Sequence, residues 1–363
     1  MRCSRWCRVL GLISIILFGC TPEGRPSPIP PEAPTSGADV ILGTPTSTRR
    51  STYTPQPSPT PTATLIPLAS LPDGIYLATI AEAGFGSELR IRTVEGELLG
   101  ILAYYRGDSP ELSPGGQTLV FYSQYRPSGD RPILMQLPQG TSRPLDCADF
   151  YCGGFSWDPR GSRVACSSDV GTIEGQEDWG SIFVLAADQC DATRMTYSWA
   201  SESSPAWSPD GRYIAYDSDQ HEGHPGFTDI YMVDVSCLDA PATCDGRARR
   251  LTHDAPGNYS FAPAWSPDST TIVYECSGDR ARDLCLVDVA SLRTIRILDT
   301  PQLDETSPRW SPDGQWIAFT SWPDSSWKQH PCIVRPDGTA YTCLQGPENE
   351  EFAFWLQIPQ PPQ

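Results

Sequence analysis

Hydrophobic positions along residues 110–355 recur in short runs separated by polar turns. Five times, an apolar or aromatic anchor leads into a Ser-Pro-Asp-Gly-like turn, and a short apolar run follows the turn. Residues 205–211, Pro-Ala-Trp-Ser-Pro-Asp-Gly, are a full copy. The anchors are Leu112, Trp157, Trp207, Trp265, Trp310 and, without the turn, Trp355. Their spacings of 45, 50, 58, 45 and 45 residues predict one supersecondary unit per repeat.

Each repeat contains four runs that are rich in Val, Ile, Tyr and Phe and bounded by Gly, Pro and Asp, as in strands. The first run carries the anchor. In the turn after it, Pro restricts φ, Asp hydrogen-bonds to the local backbone and Gly accepts positive φ. The second strands are predicted at 118–122, 163–166, 213–217, 271–275 and 316–320. Four-stranded units of this length predict an all-β propeller with one blade per repeat.

The two ends of the repeat array complement each other. Three strand-like runs without an anchor, at 74–80, 88–94 and 97–102, precede the first full repeat, and a single run at 352–358 follows the last. Pairing them makes one more blade and removes the exposed edges of an open array. We therefore expect six blades, with the ring closed by the C-terminal strand, and seven as the alternative.

The repeat resembles that of TolB-type propellers. Residues 203–252 carry the resemblance most fully, with Pro-x-Trp-Ser-Pro-Asp-Gly, then Asp-Ile-Tyr-Met-Val-Asp and Arg-Arg-Leu-Thr, and residues 306–320 match its first half. The resemblance covers about residues 73–358 and implies a six-bladed propeller. It also implies that a partner or a metal ion is held at one mouth of the central channel. TolB proteins carry an α/β domain before the propeller, and here a Pro- and Thr-rich segment occupies that place.

The N-terminus predicts export. Arg2, Arg5 and Arg8 precede an apolar run at 9–18, which is too short to span a bilayer and fits a signal peptide. The run ends in Leu-Phe-Gly-Cys20, which resembles the lipobox of bacterial lipoproteins. We expect lipidation of Cys20 and attachment to the extracytoplasmic face of the cell membrane through the lipid alone. Ordinary cleavage beside a chance Cys is the alternative.

Composition separates the chain into segments. Predicted boundaries are a signal peptide at 1–19, a tether at 20–71, a propeller at 72–358 and a tail at 359–363. The tether is rich in Pro, Thr and Ser, a composition that stays disordered and extended. Loss of residues 1–19 removes three Arg and no acid, which takes the formal charge from −18 to −21. Such an acidic chain is not expected to bind nucleic acid, whose phosphates require Lys and Arg.

Ten Cys remain in the mature chain once Cys3, Cys7 and Cys20 are set aside. An even number in an exported protein favours disulfides. Pairing nearest neighbours along the sequence predicts Cys147–Cys152, Cys166–Cys190, Cys237–Cys244, Cys276–Cys285 and Cys332–Cys343. Sequence does not establish connectivity, and a metal site is disfavoured because Cys-x-x-Cys is absent and His is scarce.

Acidic residues precede several anchors by four or five positions. They are Asp108, Glu202, Glu305, Glu350 and Glu351. In a propeller, these positions are expected to converge on one channel mouth, where carboxylates attract a cation or a basic peptide segment. Solvated turn residues are the simpler alternative for each acid taken alone. No cofactor is assigned, with Ca²⁺ in the channel as an open option.

Two further motifs bear on catalysis. His221 and His224, with Asp219 and Glu222, can bind Zn²⁺ or Mn²⁺, although a polar hairpin loop explains them more simply. Ser156 lies in Gly-Phe-Ser-Trp-Asp, which falls one residue short of the Gly-x-Ser-x-Gly elbow and lies in an anchor strand. The anchor tryptophans are expected to pack between blades and not to form a sugar platform.

These patterns favour a binding module over an enzyme. The expected function is recognition of a protein, peptide or cell-envelope component at the channel mouth by a monomeric, lipid-anchored propeller. The alternative is a metal-assisted polysaccharide lyase or hydrolase built on a TolB-like propeller. A structural or assembly role without a small ligand is a third possibility.

Overall fold

Each repeat forms one four-stranded antiparallel sheet, and the described residues contain six such sheets. The computed structural model describes residues 65–83, 86–123, 131–145, 152–168, 180–188, 192–198, 200–220, 227–239, 248–253, 258–277, 281–323, 328–344 and 349–358. All of them belong to one compact unit, Pro61–Gln363. The sheets are the predicted blades, and their number, six, is confirmed.

Strands are numbered in chain order, and each blade has an innermost, second, third and outer strand. The innermost strands are β4 (Asp108–Leu112), β8 (Gly153–Trp157), β12 (Glu202–Trp207), β16 (Ser260–Trp265), β20 (Leu303–Trp310) and β24 (Glu350–Ile358). The second strands are β1 (Gly74–Ala83), β5 (Thr118–Ser123), β9 (Arg163–Ser168), β13 (Tyr213–Ser218), β17 (Thr271–Ser277) and β21 (Ile317–Pro323).

The third strands are β2 (Gly86–Arg92), β6 (Arg131–Gln136), β10 (Ser181–Ala186), β14 (Asp229–Asp234), β18 (Arg282–Asp288) and β22 (His330–Val334). The outer strands are β3 (Leu98–Tyr105), β7 (Thr141–Pro144), β11 (Ala192–Arg194), β15 (Arg249–Arg250), β19 (Thr294–Arg296) and β23 (Thr342–Cys343). Two short 3₁₀ helices, Leu68–Ser70 and Val235–Asp239, complete the described elements. No helix among the described residues is long and apolar enough to cross a membrane.

The ring closes by pairing of the chain ends. β24 pairs antiparallel with β1, with Leu77 opposite Trp355 and Ile80 opposite Glu351. Contacts between consecutive innermost strands run β4–β8–β12–β16–β20–β24 and return to β4. The predicted closure by the C-terminal strand is therefore confirmed. Closure leaves no innermost strand with an open flank.

The Ser-Pro-Asp-Gly turns are held by their own side chains. In the turn after β12, Ser208 Oγ donates to Asp210 at 2.6 Å and accepts from the backbone N–H of Tyr213 at 2.9 Å. Asp210 also accepts from the N–H of Arg212 at 3.0 Å. Gly211 has φ of 73°, a conformation that Gly adopts without steric cost. The turn fixes the hairpin between the innermost and second strands.

The anchor tryptophans pack between blades, as predicted. Trp157 lies in one apolar cluster with Val120 and Leu134 of the preceding blade. Its indole N–H donates to the Glu111 carbonyl of that blade at 3.2 Å. Trp265 and Trp355 donate in the same way to the blades before them, each at 3.0 Å. These contacts align each innermost strand with the previous one, which positions the residues around the channel.

The cysteines follow the predicted pairing only in part. Cys276–Cys285 and Cys332–Cys343 are disulfides, as expected. Cys237 is disulfide-bonded, while its expected partner Cys244 lies outside the described residues, as do Cys147 and Cys190.

The predicted pairs Cys147–Cys152 and Cys166–Cys190 require a correction. Cys152 and Cys166 are buried free thiols. The pairing of β8 with β9, which sets Gly153 opposite Ser167, places Cys152 on the same face of the sheet as Cys166, and both belong to one apolar cluster. The cysteines that the sheet brings together therefore differ from the predicted pairs along the chain.

Candidate functional site

The innermost strands carry a β-bulge near their centres, and these bulges surround a central cavity. Register shifts occur in all six blades, for example between Ser203 and Ala206 and between Thr306 and Arg309. Bulge residues with positive φ are Ser109, Gly154, Ser204, Ala262 and Ser307, with values between 46° and 65°. All five line a cavity of about 400 Å³. Bulges re-aim the backbone, and here they turn it toward the channel.

Buried acids hold two of these bulges from the neighbouring blade. Asp217 Oδ1 accepts from the N–H of Ala262 at 3.2 Å, and Glu275 Oε1 accepts from the N–H of Ser307 at 2.8 Å. Both acids lie on second strands and are at most 4% exposed. Burial raises the pKa of each carboxyl, and the backbone hydrogen bond partly opposes that rise. These bonds offset the cost of positive φ at non-Gly residues.

The five acids that were predicted at the channel mouth lie in two different environments. Asp108 and Glu351 line the central cavity and are exposed. Because successive strands are antiparallel, all innermost strands begin at the same face, and these two acids mark the mouth of the channel at that face. For them, the structure agrees with the expected position.

Glu202, Glu305 and Glu350 do not form part of an exposed ring, so the prediction is wrong for them. Their exposures are 1%, 0% and 0%. These three acids lie five positions before their anchors, whereas Asp108 and Glu351 lie four positions before theirs. Side chains alternate between the two faces of a strand, so a difference of one position reverses the direction of the side chain. In β24, burial alternates from Glu350 through Phe352 and Phe354.

The buried acids connect the innermost strand to the outer part of the blade. Glu350 accepts from Arg92 Nε and Nη2, each at 2.8 Å, and also from Thr79. Glu202 accepts from Thr196. Burial raises the pKa of Glu202 to about 7, against the lowering effect of hydrogen bonds from Ser198 and Thr196. The hydrogen bonds of Glu350 join the strands within its blade.

Glu305 is the least compensated of the three. Its Oε1 accepts from Thr300, but its buried Oε2 has no hydrogen-bond partner in the described part of the chain. Burial raises its pKa to about 8, and the charges of Asp283 and Asp304 add to the rise. The folded state therefore holds this proton at pH values where the unfolded chain has lost it.

Substitution of Glu305 by Gln is expected to flatten the dependence of stability on pH. Because the folded pKa is raised, the folded state binds more protons than the unfolded state between about pH 4.5 and 8. Stability therefore falls as pH rises through that window. E305Q removes this contribution and should be more stable than the wild type at pH 8 by about 1 kcal/mol. Urea unfolding at pH 5, 6.5 and 8 measures the difference.

The control for this prediction is Glu95→Gln, which neutralises an exposed acid and should leave the pH profile unchanged. Parallel profiles for wild type and E305Q would contradict the role given to burial. The comparison isolates Glu305 because Glu202 and Glu111, whose pKa values are also raised, are present in both proteins.

Sequence analysis missed a charged pair inside the channel. Glu111 and Arg309 both line the central cavity and occupy the position directly before an anchor. Burial raises the pKa of Glu111 to about 7, and the positive charge of Arg309 opposes that rise. The equivalent residues of the other four blades, Ser156, Ala206, Ala264 and Phe354, are uncharged. A charge at a position otherwise occupied by uncharged residues is the signal that could have revealed the pair.

The cavity is negative overall. Its lining contains the carboxylates of Glu82, Asp108, Glu111 and Glu351 against the single guanidinium of Arg309. Glu351 reaches solvent at the rim, but the cavity walls keep part of the surrounding water away, and this desolvation is the main cause that raises the pKa of Glu351, with the charges of Asp108 and Glu82 adding to the rise. The acids therefore lie close enough to interact. Among the described residues, however, no group of three or more His, Cys, Asp or Glu side chains has the geometry to hold a metal ion.

An aromatic ladder lies beside the start of β16. The ring centroids of Phe227 and Tyr259 are 5.1 Å apart, and those of Tyr259 and Phe261 are 5.6 Å apart with nearly parallel planes. All three side chains are partly exposed. Phe261 directly precedes the bulge residue Ala262, which lines the cavity. The ladder adds an apolar, partly exposed surface near the acidic mouth.

The remaining sequence candidates give no catalytic arrangement within the described residues. His221 and His224 lie outside the described residues. Ser156 Oγ accepts from the backbone N–H of Trp207 at 3.0 Å, which is a structural bond between blades. This contact agrees with the interpretation of the Ser156 motif as a coincidence of sequence.

The described residues form a six-bladed β-propeller with an acidic central channel, and the chain is similar to TolB proteins. No protein-family model matches the chain. The protein TolB homolog of Chlorobium luteolum is 27% identical over 213 residues, which cover 58% of this chain and 44% of that protein. The uncharacterized peptidase YuxL of Bacillus subtilis is 27% identical over 199 residues, which cover 45% of this chain and 28% of the peptidase.

Comparison of structures gives the same architecture. The crystal structure of TolB from Acinetobacter baumannii matches with a TM-score of 0.61 and 20% identity, and covers 77% of this chain and 66% of that chain. At this identity the likeness shows the fold alone. The chain spans less than half the length of either of these two sequence relatives. The similarity therefore concerns the propeller.

Proposed function

We propose that this protein is an extracytoplasmic binding module, which takes a basic segment of a protein or peptide into the mouth of its central channel. The central cavity carries this proposal, because it is lined from all six blades and has four carboxylates against one guanidinium. A volume of about 400 Å³ lies at the small end of ligand pockets. It suits one or two side chains of a larger partner, with most of the contact surface outside the channel.

The charge pattern favours a cationic side chain of the partner. Asp108 and Glu351 are exposed at the rim, while Glu111 and Arg309 lie on the cavity wall. A cleft lined by one sign of charge focuses its field and raises the rate of encounter with the opposite sign. A Lys or Arg of the partner would meet the rim carboxylates, and a neighbouring carboxylate or carbonyl would suit Arg309. The partly exposed rings of Phe227, Tyr259 and Phe261 offer apolar contact beside this site.

The proposed setting of the module follows from the N-terminal sequence. Export through the signal at 1–19, lipidation of Cys20 and the tether at 20–71 would hold the propeller at the outer face of the membrane. A Pro-rich segment of about 50 residues can extend on the order of 150 Å. Such a reach suits a partner in the cell envelope. Globomycin sensitivity of processing, with mass spectrometry of the mature N-terminus, tests this part separately.

Neutralising the rim is expected to weaken binding of basic peptides. The double variant D108N/E351Q removes two carboxylates from the mouth and should lower affinity about tenfold, which corresponds to ~1.4 kcal/mol. Isothermal titration of the mature protein with a short Lys- and Arg-containing peptide, and with its uncharged analogue, measures this loss. Affinity of the wild type should also fall as salt rises from 50 to 300 mM, because exposed charges are screened at about these concentrations.

The matched control is E95Q/E97Q, which removes the same charge from the turn between β2 and β3. Because the strands are antiparallel, this turn lies at the face opposite the mouth. Equal binding of charged and uncharged peptides, or equal effects of the two double variants, would contradict the proposal. Thermal melts with EDTA and with added Ca²⁺ are run alongside. A Ca²⁺-dependent rise in melting temperature that D108N/E351Q abolishes would assign the rim to a cation instead of a peptide.

A further inference from the structure

The blade formed by β8–β11 contains two buried thiols in one apolar cluster. Cys152 directly precedes β8 and is 3% exposed, and Cys166 lies in the middle of β9 and is 0% exposed. Since Gly153 is opposite Ser167, both cysteines project from the same face of the sheet. Burial raises the pKa of the Cys166 thiol, and the neighbouring thiol of Cys152 adds to the rise. They pack among Phe155, Trp157, Phe183 and Leu185 in one apolar cluster.

A pair of reduced thiols contrasts with the state of the other described cysteines. Cys276–Cys285 and Cys332–Cys343 are disulfides, and Cys237 is disulfide-bonded. Disulfides form and persist in oxidising compartments. A chain that forms these bonds therefore meets conditions in which two adjacent thiols can also be oxidised.

Cys152 lies on the wall of a second cavity. This cavity has a volume of about 370 Å³, and Tyr122, Gly153 and Ser203 also line it. It shares Asp108 and Ser109 with the central cavity. Cys166 is not part of its lining. A reagent that enters the cavity therefore meets Cys152 first, and Cys166 lies behind it.

We propose that Cys152 and Cys166 are a redox pair, which closes to a disulfide between β8 and β9. The geometry supports closure, because neighbouring strands place both side chains on the same face of the sheet and in one apolar cluster, as a disulfide between adjacent strands requires. The adjacent bulge at Gly154, with φ of 65°, gives the start of β8 freedom to adjust. The inference uses the proposed export of the chain only as the source of oxidising conditions and uses no part of the proposed peptide site.

The reaction is a thiol–disulfide exchange with the disulfide of an oxidised thiol reagent, such as glutathione disulfide or an oxidoreductase. The Cys152 thiolate attacks one sulfur of that disulfide, forms a mixed disulfide and releases one thiol. The Cys166 sulfur then attacks the Cys152 sulfur, which forms the internal bond and releases the second thiol. The two cysteines lose two electrons and two protons in total, and the reagent gains both. Burial raises the pKa of Cys166, so its thiol is a poor first nucleophile.

Closure would act on the channel wall. β8 contributes Gly154 and Phe155 to the lining of the central cavity, and Cys152 lies two residues before Gly154. A covalent bond to β9 would fix this part of the wall, while the reduced pair leaves it held by packing and backbone hydrogen bonds. The oxidation state of the pair would therefore determine how rigidly this part of the channel wall is held. The same wall forms part of the proposed peptide site.

Peptide mapping without reduction distinguishes this pair from the pairs expected along the sequence. Trypsin keeps Cys147 and Cys152 together in residues 107–160, because the arginines at 126, 131 and 143 precede Pro, and keeps Cys166 and Cys190 together in residues 164–194. A Cys152–Cys166 bond links these two peptides. Pairs Cys147–Cys152 and Cys166–Cys190 leave them separate. A second digestion with chymotrypsin, which cleaves after Phe150 and Tyr151, separates Cys147 from Cys152 and shows which cysteine carries the link.

The expected result for mature protein from an oxidising compartment is a peptide that contains Cys152 linked to one that contains Cys166. Two separate peptides with internal disulfides, or a link that runs only through Cys147 and Cys190, would overturn the proposal. The variant C276S/C285S, which removes a different disulfide of the structure, is the matched control and should leave the link in place.

A variant that retains the pair without its sequence neighbours tests reversibility. In C147S/C190S, the peptides that contain Cys152 and Cys166 should carry no maleimide after denaturation, and both should carry it after reduction. Treatment of the reduced protein with glutathione disulfide before labelling should leave both peptides unlabelled. In C147S/C190S/C152S, the Cys166 peptide should be labelled under all of these conditions, apart from a reversible glutathione adduct. Two reactive thiols in C147S/C190S after oxidation would refute the proposal, provided that circular dichroism shows the native fold.

Discussion

Truncation of the chain after Asn349 is expected to abolish the cooperative unfolding transition. The deletion removes β24, whose Phe352, Phe354 and Leu356 are at most 4% exposed. Burial of each such side chain contributes roughly 1.5–3 kcal/mol. Three of them equal a large part of the 5–15 kcal/mol that stabilises an ordinary domain. The deletion also leaves β1 with an unpaired edge, which favours aggregation.

Soluble yield, far-ultraviolet circular dichroism and urea unfolding of the truncated protein measure this effect. Truncation after Ile358, which removes only residues 359–363, is the control and should leave the unfolding midpoint unchanged. A synthetic peptide of residues 349–363, added during refolding, should restore the transition because it can pair with β1. A truncated protein that unfolds cooperatively at the wild-type midpoint would show that closure by β24 does not stabilise the ring.

Breaking the ion pair between Arg92 and Glu350 is expected to cost about 3–5 kcal/mol. The two side chains are 4% and 0% exposed, and the guanidinium donates twice to the carboxylate, each time at 2.8 Å. Arg92 also donates to the Gly96 carbonyl at 2.7 Å. Arg92→Met keeps the aliphatic stem but leaves the Glu350 charge buried without its partner. The main cause of the lost stability is therefore that the Glu350 carboxylate is kept away from water without a partner.

Free energies of unfolding from urea titration, for R92M, E350M and the double variant, test this explanation. Replacement of both partners by apolar groups should recover most of the loss, because no unpaired charge remains. Arg293→Met, at an exposed position, is the control and should stay within about 0.5 kcal/mol of the wild type. A double variant as unstable as R92M would show that packing, and not charge, holds β24 to the blade.

Both predictions test β24. The first removes its apolar side chains, and the second removes the ion pair that its Glu350 forms. β24 provides apolar side chains to the clusters around β1 and a carboxylate to Arg92 of β2. The same strand presents Glu351 to the channel mouth. The residues that close the ring are thus directly adjacent to the residues that form the proposed site. Stability assays should therefore accompany every binding assay on β24 variants.

The fold could be predicted because it depends on local signals that repeat. The Ser-Pro-Asp-Gly turns close hairpins through their own side chains, as Ser208 and Asp210 show. The anchors recur at blade spacing, and the missing strand at one end is supplied by the other. Each of these signals can be recognised within one repeat or by counting the strands along the chain. Six blades and closure by β24 followed from them without tertiary information.

The acids at the channel mouth could be predicted only where the alternation of side chains along the innermost strand was counted from the correct position. Asp108 and Glu351, four positions before an anchor, lie at the mouth, while Glu202, Glu305 and Glu350, five positions before, are buried. The bulge between acid and anchor shifts the alternation of faces, and its position depends on contacts such as that of Asp217 with Ala262 of the next blade. Because a neighbouring blade determines where the bulge lies, the sequence of one repeat does not show which side chains face the channel.

Pairings between strands were likewise decided in three dimensions. Cys152 and Cys166 share one apolar cluster because β8 lies beside β9, and Glu111 shares a cavity with Arg309 because four blades return the chain to the same channel. The sequence by itself determined the all-β class, the blade repeat and the closure, since these rest on turn chemistry and periodicity. Only the tertiary structure decided which acids face the channel and which thiols lie in the same cluster, since both depend on the register between strands that are separate along the chain.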